Sequence, residues 1–90
     1  MTPEEDKRII EILKTRDALE THVQLKSGKV AKLWNIAWGY DMGDDFAHIT
    51  TNISPGQPEQ DMDFFYTHEI VKINDGESGI CISSFDPNHA

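Results

Sequence analysis

The residues best suited to chemistry lie in the middle of this chain. Asp41, Asp44, Asp45 and His48 offer carboxylate oxygens and one imidazole, a donor set that suits a divalent cation. Their spacing matches no calcium loop, because an EF-hand needs acids at alternate positions, glycine at the sixth and glutamate at the twelfth. The segment reads instead as a solvated acidic loop between strands, where charge also keeps a sheet edge soluble. No metal and no cofactor are expected.

The other reactive side chains are scattered. His22, His48, His68 and His89 are far apart in sequence, and a His48–His68 pair is the one combination a fold could assemble usefully. No nucleophile motif or oxyanion loop accompanies them, so rim or surface histidines are expected rather than general bases. Gly28, Gly39, Gly43, Gly56, Gly76 and Gly79 occur singly, which leaves no loop to cradle a phosphate. Cys81 is the only cysteine, so neither an internal disulfide nor a thiolate metal cage can form. Between Ile80 and Ile82 it is expected to pack as a small hydrophobe. Catalytic residues are therefore not assigned, and the chain is not expected to be an enzyme.

Aromatic residues carry more weight. Trp34, Trp38, Tyr40, Phe64, Phe65 and Tyr66 come from two short segments of a 90-residue chain that is only 38% hydrophobic. A core of that size cannot take all six, although Trp34 or Trp38 can lie beneath a helix. Trp and Tyr are enriched where a surface binds something, so Trp34, Trp38, Tyr40, Phe64 and Tyr66 are the candidate interface or ligand pocket.

Charge bounds the partner. Sixteen acidic against eight basic residues give a net charge of -8. Residues 1–32 nearly balance, with seven Lys and Arg against six Asp and Glu. Residues 33–90 hold ten acids and only Lys72, a net of -9. Proteins that bind phosphate backbones neutralise them with Lys and Arg, so a nucleic-acid partner is disfavoured. Asp41, Asp44, Asp45, Glu59, Asp61 and Asp63 form the candidate acidic surface for a basic protein. No stretch has the length or hydropathy of a signal peptide or a bilayer span, and a cytoplasmic, membrane-free protein is the expectation.

The elements that must position these groups follow from periodicity. Thr2-Pro3-Glu4-Glu5 is a helix start with a capping box, and Ile9, Ile10, Ile12 and Leu13 lie on one face, predicting a helix over 3–18. From Thr21 the period becomes two, with Val23 and Leu25 on one face, and Ser27-Gly28 makes a turn. Val30 to Trp38 reads as one long strand that is apolar on both faces, which points to a covering helix or a second subunit. Phe46 to Ile53 is a strand with Ala47, Ile49, Thr51 and Ile53 on one face, and residues 54–61 are a loop. Short strands follow at 63–67 and 70–73, a turn at Asn74-Asp75-Gly76-Glu77, and a last strand with Ile80 and Ile82. Residues 85–90 form a tail. The class is α+β, mainly β: one domain over 1–90, with an N-terminal helix and a small, strongly bent antiparallel sheet or barrel of five or six strands over 21–84.

This outline resembles the Sm-like small barrels. The likeness spans roughly residues 3–83 and rests on the capped helix leading into Val23-x-Leu25-x-Ser27-Gly28, on the long bent strand, and on Phe64-Phe65-Tyr66, the break at Thr67-His68-Glu69, and Ile70-Val71-Lys72-Ile73. RNA-binding members carry Asp or Asn just before the glycine and an Arg-Gly or Lys-Gly pair near the end. This chain has Ser27 and no such pair. In the Rho-binding antiterminator proteins, a barrel of this shape serves as a protein-binding module. The resemblance thus implies a non-enzymatic interaction module. It is expected to be a homo-oligomer and to bind a protein through an acidic surface. The alternative is a small-molecule binder or minor enzyme with an aromatic pocket, and a weaker one is an Sm-like RNA binder.

Overall fold

Helix α1 (Pro3–Lys14) begins as its first residues dictate. Glu5 N–H donates to Thr2 Oγ1 and Thr2 N–H to Glu5 Oε1, so two otherwise unpaired amides are satisfied reciprocally. The computed structural model describes residues 2–53 and 62–85 of the chain. Ile9, Ile10 and Leu13 bury the apolar face. The helix ends at Lys14, short of the predicted residue 18. Thr15 and Arg16 donate back to Ile12 and Leu13 carbonyls, and Ala18 turns left-handed at φ 66° to donate to the Trp34 carbonyl. That long-range bond pulls the chain off the helix axis. Arg16 then serves the β-structure rather than the helix face: its guanidinium binds Thr21 Oγ1, the Glu20 carbonyl and the Asp75 carboxylate.

Seven strands follow among the described residues: β1 (Thr21–Leu25), β2 (Val30–Leu33), β3 (Ile36–Gly39), β4 (His48–Thr51), β5 (Phe64–Tyr66), β6 (Ile70–Asp75) and β7 (Cys81–Ser84). They form two antiparallel sheets, ordered β2-β1-β6-β7 and β3-β4-β5, that do not close into one barrel. The α+β, mainly-β class holds, while the single five- or six-stranded sheet does not describe the arrangement. Among the described residues, no helix is long and apolar enough to cross a membrane.

The expected long strand Val30–Trp38 is broken at Trp34–Asn35, and this break explains its two apolar faces. In β2, Ala31 and Leu33 point into the core. Past the bend the inward parity switches, and Ile36 packs against the core from β3. Residues from both faces are therefore used within one chain, in different sheets, although Val30 and Trp38 remain exposed.

Asn52 locks that bend. Its side chain accepts from Trp34 N–H at 2.8 Å and donates to the Lys32 carbonyl at 2.9 Å. Its own backbone donates to the Asn35 carbonyl. Asn52 takes φ 57°, a left-handed conformation that Asn tolerates better than most side chains. The same reversal ends the alternation of β4, so Ala47, Ile49 and Thr51 are buried as predicted but Ile53 is 47% exposed.

The core lies between α1 and the sheets: Ile9, Ile10 and Leu13 meet Val23, Leu33, Ile49, Phe65, Ile70 and Ile73. It extends to Phe85, the first residue assigned to the tail, which is 5% exposed and donates its N–H to the Val71 carbonyl. Strand β7 differs from expectation. Ile80, Cys81 and Ile82 are exposed, because β7 is an edge strand whose inward positions are taken by Ser83 and then Phe85. Cys81 is therefore a surface thiol and not a packed hydrophobe.

Candidate functional site

The three-stranded sheet has two unlike faces, set by the period of two. Ile49, Thr51 and Phe65 face the core and are essentially inaccessible. His48, Thr50, Phe64 and Tyr66 alternate with them and face outward. Register places Gly39 opposite His48, and His48 opposite Tyr66. A Cβ on Gly39 would lie 3.5 Å from the His48 ring, so glycine leaves the imidazole an open flank.

Stacked rings cover this outer face. His48 lies on Phe64 with centroids 5.7 Å apart, and His68 stacks on Tyr66 at 5.6 Å. Phe64 and Tyr66 meet edge to face at 5.6 Å, and Phe46 leans on His68 at 5.3 Å. His48 and His68 do not pair with each other. Each packs on Tyr66 instead, His48 edge-on at 6.5 Å. Phe64 remains 59% exposed. The turn Thr67–Glu69, a single turn of 3₁₀ helix, fixes Tyr66, whose N–H donates to Glu69 Oε2 at 2.7 Å.

The acidic loop after β3 borders this face. Asp44 N–H donates to the Asp41 carbonyl at 3.0 Å, and Gly43 occupies φ 88°, a conformation that glycine adopts without a Cβ penalty. The turn brings Asp41 and Asp44 beside His48, and one donor atom from each lies within 4.8 Å of the others. His48 Nδ1 stands 3.6 Å from Asp41 Oδ2, beyond hydrogen-bond length. Asp44 Oδ2 and His48 Nδ1 are both shielded from solvent and have no hydrogen-bond partner.

The predicted aromatic group therefore separates into parts. Phe64 and Tyr66 belong to the outer face. Trp38 and Tyr40 are a second pair, edge to face at 6.3 Å, on the side of the helix. Lys14 Nζ sits 5.9 Å above the Trp38 ring, and Leu13, Lys14, Asp17, Ile36 and Trp38 line an open groove there. Tyr40 donates its hydroxyl to Asp6, and the Tyr40 phenol therefore holds its proton more tightly than an ordinary one, chiefly because ionisation would break that bond. Trp34 stands apart at the bend, half-buried, with its N–H on Asn52.

The acidic candidates separate too. Asp41 is exposed beside His48 of the outer face, Asp44 is half-buried there, and Asp45 is exposed in the same loop. Asp63 is turned inward and paired with Lys29. Glu59 and Asp61 lie outside the described residues.

Sequence reasoning did not single out Asp6. It is only 2% exposed, and its carboxylate accepts from Tyr40 Oη, Thr67 Oγ1 and, at 2.9 Å, Ala47 N–H. One side chain thus ties α1 to the end of β3, the start of β4 and the 3₁₀ turn. An acid in the first helical turn is ordinarily accounted for by the helix dipole, which hides this role in the sequence.

No protein family, curated protein or solved structure matches the chain.

Proposed function

We propose that the chain is a non-enzymatic docking module that receives a basic protein segment on the outer face of β3–β5. The exposed Phe64 ring, stacked on a His48 that stands against Asp41, is the observation that carries this reading. An aromatic face attracts a Lys or Arg head group by about 0.5–1 kcal/mol when solvated, and Arg also stacks on it. Flanking carboxylates add steering, supported by the net -9 of residues 33–90.

An Sm-like frame suits the role. It is supported by β1 lying between β2 and β6, by the bent β2–β3 pair shared between two sheets, and by the 3₁₀ turn joining β5 to β6. A cytoplasmic setting, in which a lone exposed thiol stays reduced, fits Cys81.

The test uses a fluorescently labelled decapeptide rich in Arg and Lys, followed by anisotropy. Binding should weaken severalfold as salt rises from about 50 to about 500 mM. It should weaken similarly in the Phe64→Ser, Tyr66→Ser double variant, with the fold checked by circular dichroism. Equal binding by wild type and variant would overturn the reading.

A second reading is self-association at β7, favoured by Ile80 (67% exposed) and Ile82 on an edge strand. Sedimentation at micromolar concentration tests it: a dimer lost in Ile82→Lys supports it, and a clean monomer contradicts it.

A further inference from the structure

We propose that Asp41, Asp44 and His48 form a binding site for a first-row divalent metal ion. The inference does not rest on the docking role, although it shares Asp41 with it, since it concerns how one corner of the outer face is held together.

Two observations converge. First, three donors from separate backbone positions meet, although their spacing follows no metal motif. Asp41 and Asp44 sit on either side of the Gly43 turn, and His48 opens the adjoining strand. Second, Asp44 Oδ2 and His48 Nδ1 are shielded from solvent with no hydrogen-bond partner. Buried polar atoms are normally satisfied, and leaving one unpaired costs about 1–3 kcal/mol. The Asp41 oxygen does not relieve His48 Nδ1, because 3.6 Å is too far for a direct hydrogen bond. A cation between the donors answers both orphan atoms together.

Geometry and donor chemistry narrow the ion. Bonds of about 2.0–2.2 Å to nitrogen and carboxylate oxygen place neighbouring donors about 3.0–3.5 Å apart. The observed spread of up to 4.8 Å closes with side-chain movements on the order of an ångström in the exposed Asp41 and its neighbours. An imidazole beside two carboxylates suits zinc or manganese, whereas calcium and magnesium prefer oxygen alone. Bound there, the ion would clamp the loop after β3 onto the first residue of β4. It would also offset two charges of the acidic rim.

The test is calorimetric titration of chelator-treated protein with zinc chloride, manganese chloride and calcium chloride. The expected result is one saturable zinc or manganese site per chain, at least tenfold tighter than any calcium binding. Asp44→Asn and His48→Asn should each weaken it at least tenfold, while Asp45→Asn and His22→Asn leave it unchanged. Manganese added to the isotopically labelled wild-type chain gives a readout that needs no variant, because it should broaden the amide signals of residues 39–48 first. Absence of a saturable site overturns the proposal. So does a site untouched by Asp44→Asn and His48→Asn, or broadening centred on His22 and Glu20.

Discussion

The hydroxyl of Tyr40 donates to the carboxylate of Asp6, so a residue just past β3 is anchored to the first turn of α1, 34 positions earlier in the chain. Thr67 Oγ1 and Ala47 N–H converge on the same carboxylate. The outer face is therefore held from behind: Ala47 precedes His48, and Thr67 follows Tyr66. Asp6 is the buried counterpart of the exposed ring cluster.

Removing that carboxylate should be costly. Asp6→Ala leaves Tyr40, Thr67 and Ala47 donors without their acceptor, and a loss of about 3 kcal/mol is expected. For a domain of this size that corresponds to a fall in melting temperature of roughly 12–24 °C. Thermal unfolding followed by circular dichroism checks it, and a shift of only a degree or two would contradict the hub.

Tyr40 should make stability fall at high pH. Its folded-state pKa is raised above the ordinary value of 10.0, first by the hydrogen bond to Asp6, then by burial and by the charge of Asp6. The contribution is full below that ordinary value and is lost as pH rises through the folded value. Urea midpoints measured between about pH 8 and about pH 11 should decline more steeply in wild type than in Tyr40→Phe.

Asp75 gives the opposite dependence. Hydrogen bonds from the Ser78 hydroxyl, Arg16 and the Ser78 amide hold its carboxyl down to about 2, against an ordinary 3.8. The charged form is favoured in the fold, so the stabilisation is complete above 3.8 and fades as pH falls towards 2. Ser78→Ala and Asp75→Asn should each flatten the acid limb of the urea midpoint, Asp75→Asn more. An unchanged acid limb in Asp75→Asn would contradict the assignment.

Asn52 should discriminate between backbone and side-chain roles. Asn52→Gly keeps the left-handed conformation but loses the bonds to Trp34 and Lys32, at about 1–2 kcal/mol. Asn52→Ala should cost about 1 kcal/mol more, because alanine resists φ 57°. Urea denaturation of the two variants tests the order, and equal losses would remove the backbone part of the argument.

Local rules carried much of this fold. The capping box of Thr2 and Glu5, the alternation of Thr21, Val23 and Leu25, and the break at Thr67–Glu69 are all set by neighbours a few residues away. Long-range contacts decided the rest. The helix stops early because Ala18 bonds Trp34, and the Val30–Trp38 run divides because Asn52 reaches back to it. The outer face was half legible: Phe64 and Tyr66 were evident as aromatics, but their partners His48 and His68 come from other elements. Asp41, Asp44 and His48 were legible as possible donors, but their spacing follows no metal motif and their convergence depends on the turn at Gly43.

The docking claim is tested most directly by mapping amide shifts of the isotopically labelled chain as the Arg- and Lys-rich decapeptide is added. The account predicts saturable shifts concentrated at residues 41–50 and 64–68, diminished by salt. Shifts centred on α1 or on β7, or none at all, would contradict it.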